Sequence, residues 1–140
     1  MSHAVKHQHQ YPLLRTHMTT TPHTIGRLQP LAVAQRMMRE HGIRHLPVLD
    51  GGKLLGLLSE RDVLLVESLP ATDPNEVRAE EAMSQDLVTA SPDAPLAEVI
   101  ETMLARKVGS AVAVEHEHVV GVFTTTDALE ALLERLTTTD

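Results

Sequence analysis

The chain of 140 residues contains no cysteine and no tryptophan, and aromatic residues make up only 1% of it, namely Tyr11 and Phe123. The lack of cysteine removes disulfides, thiolate nucleophiles and Cys-type zinc sites together. With so few rings, the 42% of hydrophobic residues must build a core from Leu, Val, Ile, Ala and Met. No apolar run approaches the roughly 20 residues of a membrane span. The N-terminal stretch from Met1 to Gln10 is polar and lacks the apolar segment of a signal peptide. A soluble, cytoplasmic protein is therefore expected. No basic run offsets the net charge of −7, so general binding to nucleic acid or to an anionic membrane, which rests on clustered Lys and Arg, is not expected. Gly-x-Ser-x-Gly, Walker and His-Glu-x-x-His motifs are all missing. No enzymatic activity and no catalytic residue are expected.

What the chain does have is an internal repeat. Gly56-Leu57-Leu58-Ser59-Glu60-Arg61-Asp62 returns as Gly121-Val122-Phe123-Thr124-Thr125-Thr126-Asp127, an offset of 65 residues. The offset holds without a gap over 47 positions, from Met18/Met83 to Leu64/Leu129. Nine of these pairs are identical: Met18/Met83, Thr24/Thr89, Pro30/Pro95, Leu31/Leu96, Ala32/Ala97, Met38/Met103, Gly56/Gly121, Asp62/Asp127 and Leu64/Leu129. Average residue usage would give about three. The chain is read as a duplication, and since a unit of about 60 residues buries little surface alone, the two halves are expected to share one core.

Each copy reads in the same order. An irregular entry and brief strand come first, with residues 77–82 as a helical turn before Met83. Pro30 and Pro95 suit the first turn of helices over 30–41 and 95–107. Leu96, Val99, Ile100, Met103 and Leu104 then form one helical face, on which the Met residues read as core filling. Gly42 supplies a stop. Next come two strands, joined by a hairpin at Asp50-Gly51-Gly52 and at Glu115-His116-Glu117, and helices over 62–68 and 126–136 close the copies. The domain reading is a polar His-rich tail at 1–11, a first repeat at 12–69, a linker at 70–77, a second repeat at 78–137 and a fraying tail at 138–140.

Ser59-x-x-Asp62 and Thr124-x-x-Asp127 sit at strand-to-helix corners and match the helix capping box, which needs no ligand. A capping box favours Glu or Gln at its fourth position, however, and does not call for the glycine three residues upstream. A short, rigid Asp suits the two hydroxyls of a ribose. Arg44, His45 and Arg61 correspond to Gly109, Ser110 and Thr126, so the cations that a phosphate would need belong to the first copy. For these three residues the alternative is a solvated strand end or helix surface. The pairs His7/His9 and His116/His118 would share a strand face, yet without a third ligand they read as solvated, and no metal is expected.

The duplicated corner, the segment Ile43-Arg44-His45-Leu46-Pro47-Val48 and the element order resemble the CBS domain, the cystathionine β-synthase regulatory module. The resemblance implies an α/β (α+β) fold of two β-α-β-β-α repeats packed with pseudo-twofold symmetry. It also implies clefts between the repeats that bind adenosine-containing ligands such as AMP, ADP or ATP, with no obligatory cofactor. In such proteins the Asp takes the ribose and the Ser or Thr contacts sugar or phosphate, which points to Ser59, Asp62, Thr124 and Asp127. By the same match Arg44, His45 and Arg61 meet phosphate, while Thr24, Thr89 and Pro47 lie beside the ligand. A homodimer and a regulated partner protein are the implied associations. The rival reading is a ligand-free dimerisation or assembly module.

Overall fold

Four N–H groups at the start of every helix lack a partner within it, and how those groups are satisfied explains much of this architecture. The computed structural model describes residues 11–138 except Pro22. Expectations for residues 1–10, including His7 and His9, and for 139–140 lie outside the described residues. The elements are α1 (Leu14–His17), β1 (Thr19–Thr20), β2 (Ile25–Gly26), α2 (Leu31–His41), β3 (His45–Asp50), β4 (Lys53–Ser59), α3 (Glu60–Glu67), α4 (Ala79–Ala82), β5 (Val88–Ala90), α5 (Leu96–Arg106), β6 (Ser110–Glu115), β7 (His118–Thr124) and α6 (Thr125–Thr137). None of the described helices is long and apolar enough to cross a membrane.

The chain forms two compact units, one of Pro22–Asp86 and one joining Met1–Thr21 to Leu87–Asp140. Residues 12–21 thus fold with the second half, and residues 77–86 with the first. In the Pro22–Asp86 unit the sheet runs β2-β3-β4, with β2 parallel and β4 antiparallel to β3. The other unit has the order β1-β7-β6-β5, with only β5 and β6 parallel. The 65-residue offset extends further back than the sequence identities do, since α1 and α4 occupy equivalent positions. Helix α1 is not expected from sequence. It is four residues long, buries only Leu14, and has no side-chain cap to announce it.

The helix starts show why each unit takes an entering segment. Neither Pro30 nor Pro95 offers a side-chain cap to α2 or α5. In one unit Leu31 N donates to Val77 O at 2.8 Å and Ala32 N to Pro74 O at 3.0 Å. In return Ala79 N donates to Gln29 O at 2.8 Å and Glu80 N to Arg27 O at 3.0 Å. The other unit repeats the exchange, with Leu96 N donating to Pro12 O at 2.9 Å, Leu14 N to Ala94 O at 2.9 Å and Arg15 N to Pro92 O at 2.7 Å. The expected linker at 70–77 thus supplies acceptors to the start of α2.

Arginines reinforce both joints. Arg27 bonds Glu80 of α4 through Nη1 at 3.1 Å and pairs with Asp50 of the hairpin at 3.3 Å. In the other unit the arginine has moved onto the entering helix, where Arg15 holds Asp93 at 3.1 Å and Glu115 of the hairpin at 2.9 Å. Hydrogen bonds donated to Glu80 and Asp50, and to Asp93 and Glu115, push the two guanidinium groups above their ordinary range.

Each unit contains a cluster of buried apolar residues. One cluster contains Ile25, Leu31, Ala34, Met38, Leu46, Val48, Leu58, Val63 and Ala79. The other contains Leu14, Val88, Leu96, Val99, Met103, Ala111, Ala113 and Phe123. Ala79 and Leu14 come from the entering helices, so each cluster is closed by a segment that the repeat arithmetic assigns to the other copy. Phe123, one of the two aromatics, replaces Leu58 at the equivalent core position.

Both hairpins form where expected, but on different residues. Gly51 and Gly52 adopt φ of 57° and 89° in the first, whereas His116 and Glu117 adopt 51° and 66° in the second. Helix α2 likewise ends on Gly42 at φ 62° and α5 on Lys107 at φ 57°. A side chain in the left-handed region costs about 1–2 kcal/mol per residue. Substituting His116→Asn together with Glu117→Gly, or Lys107→Gly alone, is therefore expected to stabilise the protein by roughly 1 kcal/mol in each case. Chemical denaturation midpoints read this directly, and unchanged midpoints would show that these turns carry no strain.

Candidate functional site

Antiparallel pairing of β3 with β4 puts His45 directly opposite Ser59, and the chain turns from Ser59 into α3. Arg44 precedes β3, and its carbonyl accepts from Glu60 N at 2.8 Å. Register and this bond bring Arg44, His45, Ser59 and Asp62 to one corner, with Arg61 exposed in the first turn of α3. The second unit builds the same corner, with Ser110 opposite Thr124 and Thr125 N bonded to Gly109 O at 3.1 Å. Gly109 and Ser110 stand there in place of Arg44 and His45.

Both capping boxes form. Asp62 N donates to Ser59 Oγ at 3.0 Å and Ser59 N donates to Asp62 Oδ2 at 3.0 Å. Thr124 N donates to Asp127 Oδ2 at 2.9 Å, and Asp127 N reaches Thr124 Oγ1 at 3.5 Å. The two corners differ at the other carboxylate oxygen. Asp127 Oδ1 accepts from Thr19 Oγ1 at 3.0 Å, whereas Asp62 Oδ1 has no donor among the described residues. Both carboxylates are half-buried. Thr19 is the site residue that sequence reasoning missed. The available signal was a hydroxyl residue following each repeated methionine, Met18-Thr19 and Met83-Ser84.

The repeated glycine, read as a feature that capping leaves unexplained, answers to packing. A Cβ on Gly56 would lie 2.7 Å from Ser84 O and 2.8 Å from Met83 Sδ, and one on Gly121 would lie 2.6 Å from Met18 Sδ. Met83 and Met18 come from the entering segments, so the identical pairs Met18/Met83 and Gly56/Gly121 specify one another. Pro47 is fully buried in the middle of β3, opposite Leu57. Both backbone groups of Leu57 bond Ser84 at 2.9 Å, so the N–H that proline lacks is not missed by β4. One expectation needs correction. The pair His116/His118 does not share a strand face, because His116 lies in the hairpin turn and only His118 is in β7. Among the described residues no cluster of three or more His, Cys, Asp or Glu is placed to hold a metal. Thr89 is an exposed residue of β5, and Thr24 is half-buried just before β2.

The model of the family described as "CBS domain" matches residues 14–68 and again 79–134. The chain belongs to the CBS-domain family. Among curated CBS-domain relatives, it is 28% identical over 105 residues to the CBS domain-containing protein YhcV of Bacillus subtilis, covering 75% of this chain and 74% of that one. It is also 28% identical over 111 residues to Hypoxic response protein 1 of Mycobacterium tuberculosis, covering 79% and 78%. Among solved structures, the CBS domain pair of protein MJ0100 in complex with 5-methylthioadenosine and S-adenosyl-L-methionine matches with a TM-score of 0.70 at 25% identity, covering 86% of this chain and 99% of that one. Two CBS matches and the two units agree on a mixed α/β fold built from a tandem repeat.

The contacts at the two glycines separate backbone from side-chain crowding. Gly56→Ala is expected to destabilise by about 1–3 kcal/mol, as overpacking does, and Met83→Ala should not rescue it because the Ser84 carbonyl stays in place. The three atoms nearest to a Cβ on Gly121 all belong to the Met18 side chain, so Gly121→Ala should recover with Met18→Ala. Gly26→Ala, with nothing nearer than 3.7 Å, is the neutral control. Equal losses at Gly56 and Gly26 in thermal melts would contradict this account.

Proposed function

We propose that this CBS pair is a regulatory module, not an enzyme, which binds an adenosine-containing ligand such as AMP, ADP or ATP at the corner of Ser59 and Asp62. Ligand binding would change a partner protein's activity or the module's own association, through unequal affinity for two arrangements. One observation carries the reading. The β3–β4 register and the Glu60 N–Arg44 O bond bring the backbone of Arg44 and His45 to the corner of a half-buried carboxylate whose Oδ1 has no donor among the described residues, so basic residues for phosphate and an acceptor for a ribose hydroxyl lie at one corner. The MJ0100 pair, related at 25% identity, is described with two adenosyl ligands, which supports the adenosyl class. The full capping boxes do not compete with this, since capping uses only Oδ2 of Asp62.

A specific observation favours self-association as well. Leu129, Leu132, Leu133 and Leu136 form one stripe of α6 and are 51% to 72% exposed, and α6 has no buried residue. Leu64, equivalent to Leu129, is also exposed, on α3. Helix-spaced leucines left exposed among the described residues fit a second copy of the chain, making a homodimer.

Calorimetric titration with AMP, ADP and ATP tests the ligand. Asp62→Ala should weaken binding by about 10- to 100-fold, the loss of a charge-assisted hydrogen bond of about 1.5–3 kcal/mol. Arg44→Ala with His45→Ala should erase any preference for ATP over adenosine while sparing adenosine itself. If Asp62→Ala melts earlier yet titrates like the parent, the carboxylate serves capping alone and the module is one of assembly. Leu129→Glu with Leu133→Glu should convert the dimer to a monomer in sedimentation at micromolar concentration, and a parent that is monomeric there would exclude the dimer.

A further inference from the structure

The two corners are related by duplication, yet their carboxylates are not in the same state. Asp127 is held by three donors: Thr124 N at 2.9 Å and Thr124 Oγ1 at 3.3 Å, both on Oδ2, and Thr19 Oγ1 at 3.0 Å on Oδ1. Asp62 is held through Oδ2 by Ser59 N at 3.0 Å, and its Oδ1 has no donor among the described residues.

The difference traces to the entering segments. Thr19 lies in β1 and pairs with Val122, two residues before the Thr124 cap. Its β-branched side chain has few rotamers, and the one it adopts delivers Oγ1 to Asp127. The equivalent residue, Ser84, bridges Leu57 in the same way. Its Oγ instead accepts from Asp86 N at 3.2 Å, a local turn that draws the hydroxyl away from the corner. One hydroxyl therefore serves the carboxylate and the other serves its own backbone.

We propose that Thr19 is a specificity-determining residue: its hydroxyl acts as an internal stand-in for a ribose hydroxyl at Asp127, so that the second corner is self-satisfied and ligand is directed to Asp62. This rests on the reading of the Asp62 corner as a ribose site and adds what separates the two corners. A diol arriving at Asp127 must displace a charge-assisted hydrogen bond before it gains one, whereas at Asp62 it meets an open oxygen. The effect is independent of Arg44 and His45, because it acts on the sugar and not on phosphate.

Adenosine, which carries the diol but no phosphate, isolates this contribution. In calorimetric titration the full chain should show one stronger site and a second weaker by about tenfold, the scale of one charge-assisted hydrogen bond. Thr19→Val keeps the β-branch and removes the donor. It should tighten the weaker site about tenfold and leave the stronger unchanged, and adding Asp62→Ala to it should leave a single site that Asp127→Ala then removes. The 13C chemical shift of the Asp127 carboxyl should move in Thr19→Val while that of Asp62 stays, which confirms that the hydrogen bond is the one removed. Two equal adenosine sites in the parent, or unchanged affinities in Thr19→Val, would overturn the role of Thr19 and leave the nucleotide reading standing. A parent that binds neither adenosine nor any adenine nucleotide would overturn the nucleotide reading itself.

Discussion

The structure depends on the reciprocal bonding of helix starts. Helices α2 and α5 begin at prolines that cannot cap them, so their leading N–H groups need carbonyls from elsewhere in the chain. Val77 and Pro12 provide them, and the short helices α4 and α1 return the favour by donating to Gln29 and Ala94. An unsatisfied buried donor costs about 1–3 kcal/mol, which makes the exchange a condition of folding and not an ornament of it. Each unit is for that reason completed by the segment that opens the other repeat's sequence.

Once the segments are seated, several separate features become one. The methionines of the entering segments press on Gly56 and Gly121, where no Cβ fits. Each of these glycines lies beside a register shift in its hairpin, between Val48 and Leu49 or between Ala113 and Val114, and a bulge there bends the strand and re-aims the residues beyond it. Three residues on, the strand ends in the capping Ser59 or Thr124. Packing at the glycine and chemistry at the corner are thus joined by a few residues of strand.

Duplication fixed the backbone plan and left the side chains free to diverge. The three-way ion pair shows this: its geometry is kept, while the arginine sits at 27 in one unit and on the entering helix at 15 in the other. The turns show it too, glycines in one copy and strained His116, Glu117 and Lys107 in the other. The corners have diverged in the same manner, with cations and an open carboxylate oxygen on the Ser59 side and a satisfied carboxylate on the Thr124 side. Substitutions of this size alter charge and hydrogen bonding locally with no change of fold.

The sequence by itself determined the repeat, the order of strands and helices, the hairpins and the place of both corners, because hydrophobic period, proline, glycine and capping residues act over a few neighbours. It also marked Ser59 and Asp62 through a pattern repeated at 65 residues, and set Arg44 and His45 apart because Gly109 and Ser110 take their places in the second copy. Only the tertiary structure decided which segment closes which cluster of buried residues, since that is a matter of long-range hydrogen bonds that local pattern does not encode. It alone decided why Gly56 and Gly121 recur, because the atoms that exclude a Cβ come from residues 83–84 and 18. Only the structure shows that Pro47 is fully buried, burial being a property of neighbours in space. Thr19 stands 108 residues from Asp127 along the chain. Their meeting follows from the pairing of β1 with β7, where a strand of two residues is too short for its sequence to announce it.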